Sequence, residues 1–408
     1  MRYTYVAMDS LLSTDFFIHN RAALRESVTQ FPIVIAGNGL LQRTSDTTFP
    51  FAQESTFWYL TGLQIPDLVL VIDRDETYLI VPGRSAIRAA FDGAVSPTEI
   101  TKRSGIETIL AEKEGWKKLK SSLFASHLVS TLETPQKYIS AHGFYTNPAR
   151  QQLGERLLQI DPDLEIWTVD KEVAALRVIK QPEEIACIEQ AVSITKNAIN
   201  RITNDESFQT IHFEYELEAL LGAEFRRLGA SGHAYSPIVA SGMHATTLHY
   251  ISNDGPIDPK DYIVVDVGAE VEHYAADITR TIIQGKPSAR QRAVHIAVQA
   301  VQREALTLMK PGATLQHIER HVELFIGKEL KSLGLITNSR DTDAIRHYYP
   351  HAVSHFLGLD VHDVGNYHAA LRPGMVLTCE PGIYIPEEGI GVRIEDDVLI
   401  TESGNRIL

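Results

Sequence analysis

Hydrophobic positions along the chain form short apolar runs in some regions and long stripes at helical spacing in others. Between residues 31 and 83 the runs are strand-sized: Phe31-Pro32-Ile33-Val34-Ile35-Ala36-Gly37, then residues 68–72, then Thr77-Tyr78-Leu79-Ile80-Val81, each bounded by Gly, Pro or Asp. Residues 86–142 are dominated by helical segments, including 87–91 and the Lys-rich stretch 112–120. Together these predict a mixed α/β domain. Within it lies an aromatic cluster, Phe49-Pro50-Phe51-Ala52-Gln53 leading to Phe57-Trp58-Tyr59-Leu60-Thr61-Gly62. Its simplest role is packing, in a core or at a subunit contact.

The register changes between Trp167 and Arg177, and Lys180-Gln181-Pro182-Glu183-Glu184 opens a new helix, with Pro in the first turn and acids at the positive end of the dipole. Ile185, Ile188, Val192, Ile199 and Ile202 continue it as a buried stripe. A second helix carries Leu217, Leu220, Leu221 and Leu228 on its apolar side and stops at Gly229. Strands are predicted at 235–240 and 246–251. After Gly285 the outline recurs: a helix over 288–309 ended by Pro311-Gly312, a helix over 315–333 ended by Gly334, then strands to the end. No residue identity links the two halves, but the order helix, helix, strands occurs twice. Such a pseudo-repeat predicts two curved sheets, flanked by paired helices, facing one central site. The domain division this implies is 1–170 and 171–408.

Composition narrows the class. At 408 residues with 44% apolar positions the chain can build a large core, and no apolar run is long enough to span a membrane. The stretch from Met1 through Asp9 and Asp15 lacks the apolar centre of a leader, which predicts a soluble cytoplasmic protein. The net charge of −14 argues against nucleic acid or anionic membrane as a partner. Two cysteines, Cys187 and Cys379, cannot make a disulfide framework and read as small buried hydrophobes.

The chemistry lies in acids set inside apolar segments. Ile263-Val264-Val265-Asp266-Val267-Gly268 and Tyr274-Ala275-Ala276-Asp277-Ile278-Thr279-Arg280-Thr281 each carry one carboxylate into an apolar run, and the short connection 269–273 predicts a hairpin presenting both to one site. A desolvated carboxylate takes up a proton unless a cation is near, so the pair reads as metal ligands. Further along, residues 351–363 hold His351, His355 and His362 on strand-like sequence. Met375-Val376-Leu377-Thr378-Cys379-Glu380 and Val392-Arg393-Ile394-Glu395-Asp396-Asp397 again end apolar runs on acids. Each alone has a plain explanation: a capped turn, a core histidine, an Arg393–Glu395 ion pair. Four such acids with an imidazole, however, make a hard, oxygen-rich ligand field whose charge balances two divalent cations. Two metals about 3.5–4 Å apart activate a bridging water and polarise a carbonyl.

The order Asp, Asp, His, Glu, Glu, with ten residues between the two Asp, resembles the metallopeptidase family of methionine aminopeptidase, prolidase and aminopeptidase P. Residues 46–62, 180–185 and 241–250 extend the resemblance over nearly the whole chain, most closely to aminopeptidase P. The resemblance implies an N-terminal mixed α/β domain, making oligomer contacts, followed by a pita-bread catalytic domain. It implies that Asp266 binds one metal, that Asp277 and Glu395 bridge two, and that His355 and Glu380 bind the other. Mn(II) is the implied pair, with Zn, Co or Fe as alternatives. Glu380 would also act as the base toward a metal-bridging hydroxide. His249 and His362 would contact the substrate carbonyl or the moving proton, Arg393 would orient a carboxylate or substrate, and His351 would line a proline pocket. The implied activity is cleavage of peptides with proline second, in a homodimer or homotetramer. Prolidase and a non-catalytic scaffold of the same fold are the rivals. His244, Cys379 and the short connection from Glu380 to Glu395 depart from the family's usual pattern.

Overall fold

The computed structural model describes residues 10–83, 91, 93 and 96–408. The helical segment expected at 87–91 lies outside them apart from Phe91. The chain divides into two compact units, one over Leu12–Leu176 and one whose main body is Arg177–Leu408.

The first unit is built on a six-stranded sheet ordered Thr108–Ala111, Thr77–Val81, Val69–Ile72, Ile33–Ala36, Leu128–Thr131, Glu165–Thr168. Its centre is antiparallel and its flanks are parallel. The runs Ile33–Ala36 and Val69–Ile72 are buried at every position, because helices cover a mixed sheet and leave neither face to water. Leu119, Leu123, Leu153 and Leu157, on the helices Glu112–Ser126 and Ala149–Ile160, pack against Val34, Val71 and Ile80. The second half of the aromatic cluster forms helix Ser55–Thr61 and is core: Phe57, Trp58, Tyr59 and Leu60 are all buried. Phe16 and Phe17, on helix Thr14–Ser27, meet Tyr59 and Trp58 edge to face.

In the second unit the expected outline of helix, helix, strands occurs twice. Helices Pro182–Thr203 and Glu214–Arg227 precede the antiparallel sheet Ile238–Ser241, Ile263–Val267, Ile278–Ile282. Helices Ala289–Leu308 and Leu315–Ser332 precede the sheet Val376–Cys379, Asp396–Thr401, Gly404–Ile407, with the hairpin Gly382–Ile385 and Ile390–Arg393 beside it. The starts follow the sequence signals. Gln181 and Glu184 form a capping box on either side of Pro182, and Ser288 Oγ accepts from the Gln291 backbone amide. Val294, Val298, Val301, Ile318, Val322 and Ile326 join Leu377, Ile383, Val392 and Val398 in one core.

Several expectations are corrected. Residues 246–251 are not a strand. The chain leaves Ile238–Ser241 through a 3-10 turn, Gly242–Thr246, and runs on without regular pairing. Residues 351–363 are likewise irregular, with one bridge from Phe356 to Leu377, because His351 is held by Tyr384 and Asp363 by Arg177 and Lys180 rather than by a ladder. Helix Thr342–Tyr348 interrupts the strands expected after Gly334; Asp341 caps it through the Ala344 amide. On Glu214–Arg227, Leu220 is 41% exposed and Phe225 takes the core position. The connection 269–273 is itself mostly strand: Ala269–Val271 pairs with Tyr274–Ala275 around a two-residue turn.

Candidate metal centre

A kinked hairpin brings the two aspartates together. Ile263–Val267 pairs with Ile278–Ile282 so that Asp266 faces Thr279, and the strands then pass into the second, smaller sheet. Gly268 marks the crossing, since a Cβ there would lie 1.7 Å from the Ala276 carbonyl oxygen. Glu272 and His273 close the tip with φ of 47° and 64°, both left-handed as a type I′ turn requires. One hydroxyl, Tyr235 Oη, sits 2.6 Å from Asp266 Oδ1 and 2.6 Å from Asp277 Oδ1.

The second half supplies the remaining acids. Glu380 follows strand Val376–Cys379, its amide donates to the Val353 carbonyl at 2.9 Å, and the Thr378 hydroxyl donates to its Oε1 at 3.1 Å. Glu395 lies in the break between Ile390–Arg393 and Asp396–Thr401 and is bound to the first half. Its amide donates to the Thr279 carbonyl at 3.1 Å and its Oε2 accepts the Thr279 hydroxyl at 2.6 Å. The next two acids go elsewhere: Asp396 accepts from Arg280 and Gln302, and Asp397 accepts the Asp277 amide at 3.0 Å. Three neighbouring carboxylates thus have three separate tasks.

Backbone carbonyls orient two of the histidines. His355 Nδ1 donates to the Phe356 carbonyl at 3.0 Å, which aims Nε2 at the acids, 3.4 Å from Asp277 Oδ2 and 3.3 Å from Glu380 Oε1. His362 stands edge-on to His355 with ring centres 4.3 Å apart. Arg393 donates to Asp266 Oδ2 at 2.6 Å, not to Glu395, and also to the Tyr384 hydroxyl at 2.9 Å. That hydroxyl donates in turn to His351 Nε2 at 2.9 Å, while His351 Nδ1 donates to the Ala352 carbonyl at 2.8 Å.

Asp266, Asp277, His249, His351, His355, His362, Glu380, Arg393 and Glu395 all line one cavity of about 330 Å³, with Tyr235, Ser236, Ile238, Leu248, Ile251 and Val361 completing its wall. Sequence reasoning missed Tyr235, Tyr384 and Thr279. A lone hydroxyl residue in a strand or loop carries no pattern, so only the fold reveals them.

The residues fit divalent metal. Ligand atoms of Asp277, His355 and Glu395 lie within 4.8 Å of one another; Asp266 and Glu380 stand outside that group, held to it through Tyr235 and His355. Glu395 Oε1 is buried without a hydrogen-bond partner, an expensive state for a carboxylate oxygen. Burial first, and then the neighbouring carboxylates, raise Asp277 and Glu395 above the usual acid range and push Glu380 up to about 7. At His355 burial acts downward, but the hydrogen bond to Asp277 and the charges of Glu380 and Asp277 outweigh it and raise the imidazole to about 9. Burial, followed by the Arg393 charge, lowers His351 to about 4, and burial with His355 does the same at His362. Among the described residues one guanidinium, Arg393, faces four carboxyl groups in this cavity.

The family model for metallopeptidase family M24 matches residues 186–402, and that for the aminopeptidase P N-terminal domain matches residues 17–129. The Xaa-Pro aminopeptidase of Haemophilus influenzae is 35% identical over 390 residues, 90% of this chain and 87% of its own. Among solved structures, the zinc-substituted Escherichia coli aminopeptidase P in complex with product superposes with a TM-score of 0.85 at 31% identity. Pseudomonas aeruginosa aminopeptidase PepP gives 0.87 at 28%. Both alignments cover 97% of this chain and 94% of the other. The M24 match contains every residue that lines the cavity, and the chain belongs to metallopeptidase family M24.

Proposed function

We propose that this chain is a metal-dependent aminopeptidase that hydrolyses the bond between an N-terminal residue and a following proline, with a pair of divalent cations, Mn(II) in the native protein. The observation that carries the reading is the cavity in which four carboxyl groups and one imidazole converge while Glu395 Oε1 has no partner from the chain itself. Asp266 would hold one ion, Asp277 and Glu395 both, and His355 and Glu380 the other. Cations bound there polarise the scissile carbonyl and make water acidic near neutral pH.

The chain's own groups account for the remaining steps. Glu380, steadied by the Thr378 hydroxyl, takes the proton from water and returns it to the departing nitrogen. His362, at about 4, is neutral at physiological pH and donates through N–H to the developing oxyanion together with His249. His351 has both ring nitrogens engaged by Tyr384 and Ala352, so it offers the cavity ring surface rather than a polar group. That surface suits proline, which has no N–H to satisfy. The acid-rich site also suits a free N-terminal ammonium.

The wider reading places an N-terminal domain over 1–170 and a catalytic domain over 171–408. It makes the protein a cytoplasmic homodimer or homotetramer that binds neither nucleic acid nor membrane. No helix among the described residues is long and apolar enough to cross a membrane. The test is metal analysis of the purified protein beside a peptide panel. Xaa-Pro-Xaa peptides should lose their first residue in a metal-dependent reaction and Xaa-Ala-Xaa peptides should not. Cleavage of the dipeptide Gly-Pro alone, or of no proline peptide after Mn(II) loading, would overturn the proposal.

A further inference from the structure

His249 lines the cavity from an irregular segment, is exposed, and among the described residues makes no side-chain hydrogen bond that would set its ring. Its place therefore depends on what holds residues 241–255. Most of that segment is fixed by one side chain, Glu214, at the first turn of helix Glu214–Arg227 and 0% exposed. Glu214 Oε1 accepts the Ser241 amide at 2.7 Å and His244 Nδ1 at 3.0 Å. Its Oε2 accepts the Gly255 amide at 2.7 Å and the Tyr250 hydroxyl at 2.8 Å. The two ends of the segment and two side chains on either side of His249 thus meet on a single carboxylate.

Other contacts reinforce the same hub. The Glu214 amide donates back to the Gly255 carbonyl at 3.0 Å. His244 and Tyr250 stack with ring centres 4.3 Å apart. Position 255 has no space for a side chain, because a Cβ would lie 2.4 Å from His244 Cε1 and 2.8 Å from Glu214 Oε2. Charge-assisted bonds from two backbone amides and a hydroxyl are among the stronger ones a buried carboxylate can accept.

We infer that Glu214 is a positioning residue for the reaction: through Tyr250 and His244 it sets the segment that carries His249, and with it Leu248 and Ile251, against the substrate. The inference rests on the proposed aminopeptidase activity and on His249 touching substrate. It separates the elements that hold His249 from those that hold metal, since none of the Glu214 partners is among the five proposed ligands.

The experiment is a double-mutant cycle on the full-length, Mn(II)-loaded protein with an Xaa-Pro-Xaa peptide, reading kcat, KM, metal content and thermal midpoint. Glu214→Gln keeps the shape but sets its new NH2 group against one backbone N–H, that of Ser241 or of Gly255, and removes the charge from the other contacts. It should lower kcat by about 100-fold, the scale of a displacement near 1 Å, with metal content unchanged. In a His249→Ala background the same change should matter by less than about 2-fold. Tyr250→Phe removes one hydroxyl from the half-buried side and serves where Glu214→Gln does not fold. It should lower kcat by about 10-fold, an effect again absent without His249. Equal losses in both backgrounds, loss of metal, or unchanged kcat in Tyr250→Phe overturn the inference, and a shift in thermal midpoint with additive kinetics marks a purely structural role. An unsubstituted protein that cleaves no Xaa-Pro peptide overturns the functional reading and this one together; cleavage with an additive cycle overturns this one alone.

Discussion

Asp363 and Asp277 are equally buried, at 5% exposure each, yet the two behave as opposites. For both, loss of water is the largest influence and acts to raise the carboxyl. At Asp363 the charges of Arg177 and Lys180, at 2.5 and 3.0 Å, more than offset it and hold the group below the usual carboxylate range. Asp277 has only the hydrogen bonds of His355 and Tyr235 and the His355 charge against it, with Asp266 adding to the rise, and the group ends above that range. The first cluster supplies its own cations and needs nothing from outside. In the second, one guanidinium and one imidazole serve four acids, which is the electrostatic signature of a site completed by metal.

Four measurements would break or sharpen this contrast. Asp277→Asn should lose bound metal and at least about 10⁴-fold in kcat/KM, the scale seen when one member of a catalytic unit is removed. The thermal midpoint of the metal-free variant should be no lower than that of the parent, because one crowded charge has gone; a stable, metal-replete and active variant would refute the assignment. Asp363→Ala should do the reverse. Taking away the carboxylate that Lys180 meets, and one of the two that Arg177 meets, should cost about 3–5 kcal/mol in denaturant unfolding, while metal per folded molecule is retained.

The third measurement is pH. Glu380 is raised in the folded state, from an ordinary 4.5 to about 7, so the metal-free fold binds more protons than the unfolded chain. Its stability should therefore fall as pH rises from about 4.5 to about 7, at a slope of up to roughly 1.4 kcal/mol per pH step of one, and a divalent cation should cancel the slope. Asp363, being depressed, contributes in the other direction: its stabilisation is present above about 4 and is lost as pH falls further. Thermal midpoints of metal-free and metal-loaded protein, followed from about pH 7 down to about pH 3, test both signs. The smallest effect belongs to His351→Ala, which should raise KM for Xaa-Pro peptides by about 10-fold at normal metal content, since it removes ring surface and no ligand. Unchanged kinetics would remove His351 from the proline pocket.

Local rules carried much of the second unit. Pro182 with acids in its first turn, the stops at Pro311-Gly312 and Gly334, and the stripe through Ile188, Val192 and Ile199 are short-range signals, and the helices they announce are present. Apolar runs around Asp266 and Asp277 likewise announced the hairpin, because its pairing is between near neighbours in sequence. Where a residue's partners lie far along the chain, the same reasoning failed. Residues 351–363 read as strand by composition but are shaped by distant groups, including Arg177 and Lys180 bound to Asp363 and Tyr384 bound to His351.

From its amino acids alone this chain disclosed two halves of like order, a pair of acids in an apolar hairpin, and a set of five candidate ligands recognised by their order. Those are matters of spacing and residue type, which are written locally. Folding alone decided that Glu395 is gripped by Thr279, that Arg393 turns to Asp266, that three adjacent acids diverge to three tasks, and that Glu214 gathers the segment carrying His249. The reason is physical: each of those pairings joins positions distant in sequence, and which buried charge meets which partner is settled by three-dimensional proximity in a medium where an unmet charge is costly.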